Sequence, residues 1–295
     1  MEPLVIEDSG TTADPDWSRL ARPQADGYDT AYILHLAQSS GSLLRPDPWR
    51  RRSPAGAPTL FEGRVAIRNR DSGGLPSPPY APLSPDHPNL PAGEAVLRHW
   101  PEAAEQYAAL IDTVQPWTDT GIPASDRAYP GSSSHSEEAE FGTIMLTADN
   151  PFGVAQAMVH EMAHHKLRAL GVSLMKAERI VANAPEELYT SPIVVGRKRP
   201  MTAVLHAQYS FIHVTALDLK VYENAPSSSD LRSQAIYLLA RNVPRMEAGH
   251  EEISGHLRTD KQGAAFCGAF MRWSGEVLKA GHAVLEAEGL GMPSL

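Results

Sequence analysis

The sequence has one cysteine and no long apolar run, and these absences limit what the protein can be. Cys267 alone cannot form a disulfide framework or a thiolate metal site, so we interpret it as a small buried apolar residue. The longest apolar stretch without charged residues, 201–217, contains two histidines and makes a poor membrane span. The first residues lack the apolar segment of a secretory signal. We therefore expect a soluble, cytoplasmic protein.

Basic residues are also scarce in this chain. Lys and Arg total 26 against 35 Asp and Glu, which gives a formal net charge of −9. Nucleic acids and anionic membranes are bound through concentrated basic surfaces, so neither is an expected partner. The chain is not disordered as a whole, because 42% of its 295 residues are hydrophobic. That content is enough for the core of one large domain or of two modest ones.

Proline is scarce in the second half of the chain and abundant in the first. Of 25 prolines, 18 precede residue 131. Proline removes a backbone donor and fixes φ, so residues 1–92 are expected to be a largely irregular region that wraps another surface. Within it, residues 28–39 are predicted to form a short helix and residues 61–69 a strand. Residues 93–295 are predicted to form the catalytic domain.

The second part of the chain has the apolar spacing of helices. Asn150 followed by Pro151 predicts a helix start, and Gly171 predicts the end of that helix. A serine-rich loop, 132–136, is expected to precede it. The other predicted elements are a helix at 93–112 closed by Pro116, a strand at 141–147, and helices at 200–223, 229–246 (ended or kinked by Pro244) and 264–287. This order indicates a helix-dominated α+β fold in which helix 151–170 packs on a small sheet.

The helix predicted at 151–170 carries an H-E-x-x-H motif. His160 and His164 are four residues apart, so both imidazoles point from the same helix face and can bind one ion. Neutral imidazole binds zinc, iron(II), copper and nickel, and the pair therefore does not name the metal. Glu161 lies roughly 100° further round the helix. It is expected beside the metal, where it can contact a bound water or a substrate.

Two histidines leave an ion under-coordinated, so a third protein ligand is expected. His206 is our first choice, because it lies in an apolar helix where an unpaired imidazole is costly. His213 lies two helical turns further on and is interpreted either as a core histidine with a satisfied hydrogen bond or as a residue that contacts the metal ligands or the substrate. Lys166 is expected on a solvated helix face. The remaining candidates for the third ligand are Glu178, Glu186, Glu187, Glu223 and His213.

Three blocks of this sequence resemble a known bacterial family. They are His160–His164 followed by Lys166-Leu167, then Glu187–Pro192, then Arg199-Pro200 with Leu205–Phe211. Together they resemble the H-E-x-x-H motif-containing peptide-modification proteins, which are 2-oxoglutarate-dependent peptide β-hydroxylases of ribosomally made natural products. Ala207 and Ser210 depart from the Gly and Ala that the family usually has in the third block.

The resemblance implies a non-haem iron(II) oxygenase that binds 2-oxoglutarate and hydroxylates a precursor peptide at Cβ. His160, His164 and His206 would be the iron ligands, and Glu161 would act beside them. Arg199 matches the Arg-Pro of the family and would pair with the distal carboxylate of 2-oxoglutarate. Tyr189 and Ser191 are candidate hydrogen-bond donors to a carboxylate.

The alternative is a zinc metallopeptidase, which H-E-x-x-H alone would favour. Glu161 would then be the general base for a zinc-bound water. The strand predicted at 141–147 would pair with an extended peptide at the sheet edge. The second and third blocks favour the hydroxylase. A protein that binds partners without catalysis is the remaining alternative.

Overall fold

The computed structural model of the protein describes residues 14–39, 56–69, 80–123, 133–136, 140–193 and 196–290. The fold is α+β and mostly helical, as the sequence predicts. Much of the region predicted to be irregular lies outside the described residues. The described helices are a short 3-10 helix at Trp17–Ala21 and α1 (Tyr28–Ser39), α2 (Asn89–Leu97), α3 (Pro101–Leu110), α4 (Pro151–Ala169), α5 (Met201–Asn224), α6 (Asp230–His256) and α7 (Lys261–Ala287).

A small mixed sheet lies against the helices. Its strands are β1 (Thr59–Leu60), β2 (Val65–Ile67), β3 (Tyr80–Pro82), β4 (Thr113–Asp119), β5 (Ser134–His135) and β6 (Thr143–Thr147). Their order is β1-β2-β4-β6-β5, and β3 also pairs with β4. The pairs β2–β4 and β4–β6 are parallel, whereas β1–β2, β3–β4 and β5–β6 are antiparallel. A separate hairpin consists of β7 (Leu188–Thr190) and β8 (Lys198–Pro200).

The predicted division of the chain at residue 93 does not match this sheet. The boundary falls inside α2, and β1, β2 and β3 share the sheet with β4 and β6. The described N-terminal residues also pack on the later helices, since α1 contacts α4 and the 3-10 helix contacts α7. Strands and helices from both sides of the boundary therefore contribute to one core.

Helix α4 has the start and the end that the sequence predicts. The Asn150 side chain accepts a hydrogen bond from the Gly153 amide, and Pro151 occupies the first turn. At the other end Gly171 has φ +86°, and the amides of Gly171 and Val172 donate to carbonyl groups of the last turn. This is the pattern of a glycine C-cap. Because α1, α2, α3, α5 and the sheet all pack on α4, most of its residues are buried.

Several of the predicted elements differ from the structure. The strand predicted at 61–69 is limited to β2, because Phe61 and Glu62 have positive φ (51° and 54°) and residues 61–64 form a turn. The single helix predicted at 93–112 is two helices, because Trp100 precedes a proline and adopts non-helical angles (φ −123°, ψ 83°). Pro116 does not close a helix but lies within β4, where its carbonyl accepts from the Leu83 amide. Pro244 does not end α6, which continues to His256 between α5 and α7.

Lys166 is not on a solvated face, contrary to expectation. Its side chain is fully buried, and its ammonium group donates to Gln106 Oε1 at 2.8 Å and to Asp29 Oδ2 at 3.3 Å. Asp29 also accepts from the Gln24 amide at 3.1 Å. Burial lowers the pKa of Lys166, and the Asp29 carboxylate opposes that effect. The prediction failed because α1 and α3 cover this face of α4.

The single cysteine is a packing residue, as predicted. Cys267 is buried, and burial raises the pKa of its thiol to about 12.

Among the helices in the described parts of the chain, none combines the length and the apolar content needed to cross a bilayer.

Candidate metal centre

The two histidines of the motif face each other on α4. His160 Nε2 and His164 Nε2 lie 3.1 Å apart, and their ring centroids are 4.6 Å apart. Metal–nitrogen bonds to imidazole are about 2.0–2.1 Å long, so both nitrogens can bind one ion at this separation. Ligand atoms of His160, Glu161 and His164 all lie within 4.8 Å of one another. The structure therefore brings together the three motif residues that the sequence singles out.

Burial keeps these imidazoles neutral. It lowers the pKa of His160, although the Glu161 charge opposes the effect, and it places the pKa of His164 well below the usual value. Burial likewise lowers the pKa of His206 to about 3. A neutral imidazole offers a lone pair without competition from protons. The three histidines therefore suit metal binding near neutral pH.

Glu161 is buried beside the pair and is held by two serines. Its side chain is 3% exposed, and its Oε1 lies 3.9 Å from His160 Nε2. The Ser134 hydroxyl donates to Oε1 at 2.7 Å, and the Ser136 hydroxyl donates to Oε2 at 2.5 Å. The sequence predicts the position of Glu161 next to the metal site but not these two partners.

Arg168 holds the serine segment from the other side. Its guanidinium group donates to the hydroxyl of Ser136 and to its carbonyl oxygen, both at 2.9 Å. Two features of the sequence are consistent with this cluster, although the H-E-x-x-H motif alone does not predict it. Ser134 and Ser136 are two residues apart, so in an extended segment they face the same side. Arg168 follows Glu161 by seven residues, which places it on the same helix face two turns later.

His206 contacts the motif through His164. The Nδ1 atoms of these two residues lie 2.8 Å apart, and His206 Nε2 lies 2.9 Å from the Val172 carbonyl oxygen. A carbonyl only accepts, so Nε2 of His206 carries its proton and Nδ1 accepts one from His164. The Nε2 lone pair of His164 then faces His160. Coordination of the ion by His206 itself stays a prediction.

The acidic candidates for the third ligand lie elsewhere. Glu178, Glu186 and Glu223 are exposed. Glu187 binds the Arg258 guanidinium through both carboxylate oxygens, at 2.6 and 2.7 Å. In the described parts of the chain, none of these four carboxylates joins the cluster of motif residues.

The residues assigned to 2-oxoglutarate lie on or next to the β7–β8 hairpin. Tyr189 pairs with Arg199 across the two strands. The Tyr189 hydroxyl donates to Glu187 and accepts from the Asn183 side chain at 2.8 Å. Ser191 follows β7 and is buried, with 5% exposure. Binding of a dicarboxylate by Arg199, Tyr189 and Ser191 stays a prediction.

His213 is enclosed by aromatic rings. It is fully buried, and its Nδ1 lies 2.8 Å from the Tyr209 carbonyl oxygen. Its ring centroid is 4.8 Å from that of Trp273 and 6.1 Å from that of Trp100. These contacts fit the interpretation of His213 as a core histidine, and its contact with a substrate stays a prediction.

The arrangement can bind a transition-metal ion next to a fixed carboxylate. His160 and His164 supply two neutral imidazoles, and His206 is a third one in contact with the pair. Such nitrogen donors suit zinc, iron(II), copper and nickel alike.

Neither a protein family model nor a curated protein matches this chain.

Proposed function

We propose that the protein is an iron(II)- and 2-oxoglutarate-dependent oxygenase that hydroxylates a side chain of a ribosomally made precursor peptide at Cβ. The observation that supports this best is the contact between His164 and His206, which places a third imidazole next to the motif pair. In the described residues the acidic candidates Glu178, Glu186, Glu187 and Glu223 lie outside the cluster of His160, Glu161 and His164, and the ligand atoms of His206 are not part of that cluster either. We expect the enzyme to act in the cytoplasm.

The residues present fit iron(II). All three imidazoles are neutral, as ligands must be, and imidazole is a preferred donor for this ion. With iron(II) bound, the site would let molecular oxygen oxidise two partners at once: one oxygen atom would convert the C–H bond to C–OH, and the other would convert 2-oxoglutarate to succinate and carbon dioxide. Three protein ligands would leave positions open for a 2-oxo acid and for oxygen.

The remaining residues would bind and orient the reactants. An all-imidazole ligand set carries no charge, and Glu161 supplies a negative charge next to it. Arg199 would pair with the distal carboxylate of 2-oxoglutarate through its planar guanidinium group. Ser191 would donate a hydrogen bond to a carboxylate, and Tyr189 would do so after giving up its hydrogen bond to Glu187.

A turnover assay tests this proposal. The protein is incubated with iron(II), ascorbate, 2-oxoglutarate and candidate precursor peptides, and succinate and peptide mass are measured. We expect succinate release that depends on iron(II), 2-oxoglutarate and the peptide, and a peptide that gains one oxygen atom. H164A serves as the inactive control. Peptide cleavage without 2-oxoglutarate would contradict the proposal.

A zinc metallopeptidase is the second candidate, and the position of Glu161 next to the motif histidines favours it. The prediction that the strand at 141–147 pairs with an extended peptide is wrong, because β6 is already paired with β4 on one side and with β5 on the other. Glu161 would be the general base, and E161Q would abolish cleavage.

A further inference from the structure

We propose that Ser134 and Ser136 are positioning residues that hold the Glu161 carboxylate beside the metal ion and off it. The proposal rests on the metal site proposed above. It concerns a choice that the H-E-x-x-H motif leaves open, because a glutamate next to two histidine ligands can either bind the ion or stay in its surroundings.

The two serines hold both ends of the carboxylate. Ser134 donates to Oε1 and Ser136 to Oε2, at 2.7 and 2.5 Å. The backbone of Ser134 is held by β5, in which Ser134 pairs with Leu146 and His135 with Met145 of β6, and Ser136 follows directly after this strand. The carboxylate plane is thus set by two donors on a segment that the sheet holds in register.

Arg168 determines the direction in which the Ser136 hydroxyl donates. A guanidinium group only donates, so the Ser136 oxygen accepts from Arg168 at 2.9 Å. The single hydroxyl hydrogen of Ser136 is then left for Glu161. Arg168 also donates to the Ser136 carbonyl, which fixes the backbone as well. Both Ser136 and Arg168 are buried, with exposures of 4% and 7%, so water competes little for these bonds.

Release of Glu161 would change the ligand set. Its Oε1 is only 3.9 Å from His160 Nε2, a distance at which a rotated carboxylate can reach an ion bound by that nitrogen. A carboxylate ligand would add a negative charge to the centre and occupy a position that a substrate needs. The serine hydroxyls oppose that rotation, since it would break two hydrogen bonds to a charged acceptor.

Cobalt(II) titration of the full-length protein tests the proposal, because the visible absorption of cobalt reports its ligands. We expect the unmodified protein and S136T, which keeps the hydroxyl, to give the same spectrum. In S134A/S136A the spectrum should change and the affinity for cobalt should rise about tenfold, the size of effect that neighbours of metal ligands commonly have. Adding E161Q to the double variant should restore the original spectrum.

The control is S39A, which removes a serine hydroxyl that donates to the His35 carbonyl at the end of α1. An unchanged spectrum in folded S134A/S136A would overturn the proposal, and so would a change that persists in S134A/S136A/E161Q. If the double variant does not fold, the single variants S134A and S136A give the same comparison. Failure of the unmodified protein to bind cobalt would instead remove the metal site itself.

Discussion

The Nδ1 atoms of His164 and His206 lie 2.8 Å apart, across the contact between α4 and α5. The other nitrogen of His206 faces the Val172 carbonyl oxygen, which follows the glycine C-cap of α4. The end of α4 therefore sets the tautomer of His206, and His206 sets that of His164. His164 in turn presents its Nε2 lone pair towards His160.

The first prediction concerns His206. We expect H206A to lower the affinity for iron(II) or cobalt(II) by about 10- to 100-fold, because partners that orient a metal-binding histidine typically have effects of this size. The loss should be at least as large if His206 binds the ion itself. Metal content after dialysis and a cobalt titration measure the effect.

The matched control for this experiment is H250A. His250 is partly buried on α6, and its Nδ1 lies 3.0 Å from the Ser274 hydroxyl of α7. H250A should therefore bind metal as the unmodified protein does. Unchanged metal affinity in a folded H206A variant would contradict both possibilities, that His206 orients His164 and that it binds the ion itself.

The second prediction concerns the buried ion pair of Lys166 and Asp29. We expect D29N to destabilise the protein by about 3 kcal/mol or more, because it leaves the buried ammonium group without its counter-charge. Urea unfolding followed by circular dichroism measures the free energy of unfolding.

An exposed ion pair provides the comparison for D29N. Lys220 and Glu223 form a pair on the surface of α5 with both side chains about half exposed. E223Q should change the free energy of unfolding by less than about 0.5 kcal/mol. Equal effects of D29N and E223Q would show that the buried ion pair contributes no more to the free energy of unfolding than the exposed pair does.

Local sequence signals were sufficient for the elements that positioned the motif. Asn150, Pro151 and Gly171 act within their own turns, so the bounds of α4 follow from residues next to them. The strands were harder, because β1, β2, β3 and β5 have only two or three residues each and show no periodicity. Pro116 and Pro244 were wrongly predicted to end helices. Each lacks a backbone donor, but β4 and α6 are packed on both sides, and this packing stabilises them despite the missing hydrogen bond.

The sequence predicted only those contacts of the candidate site that follow from the spacing of residues along one helix. His160, Glu161 and His164 share one helix, and their closeness follows from helical geometry alone. The contacts of Glu161 with Ser134 and Ser136 depend on the pairing of β5 with β6, which no local signal encodes. Lys166 was misplaced for the same reason, because its partners lie on α1 and α3.

The third prediction concerns pH and Asp218. This carboxyl group is fully buried among α4, α5 and α6, and burial raises its pKa to about 7, although hydrogen bonds from Gln156 and Asn242 oppose the shift. The unfolded chain loses this proton near the ordinary value of 3.8. Between these values the folded protein binds more protons, so its free energy of unfolding falls as pH rises.

The variant D218N lacks this titration. From about pH 4 to pH 7 we expect the unmodified protein to lose stability relative to D218N, by up to a few kcal/mol at about 1.4 kcal/mol per pKa unit. Urea unfolding at several pH values measures the difference. D230N, at an exposed position of α6, is the control for the substitution itself. A constant difference between D218N and the unmodified protein would contradict the shifted pKa.

The fourth prediction concerns the contact that holds α2 on the first turn of α4. A Cβ atom at Gly93 would lie 2.3 Å from Val154 Cγ1 and 3.1 Å from the Pro151 carbonyl oxygen. We expect G93A to destabilise the protein by about 1–3 kcal/mol, because the two helices must separate to admit the methyl group. Thermal and urea unfolding measure the change.

The control, G268A, makes the same substitution inside α7, where the nearest atom to the added methyl group is Arg272 Nη1 at 3.6 Å. Alanine favours a helix over glycine by about 1 kcal/mol, so G268A should stabilise the protein. The two variants share the change in helix propensity and differ in the space available. Opposite signs would therefore assign the loss in G93A to the approach of α2 to α4, whereas stabilisation by both would show that Val154 moves aside at little cost.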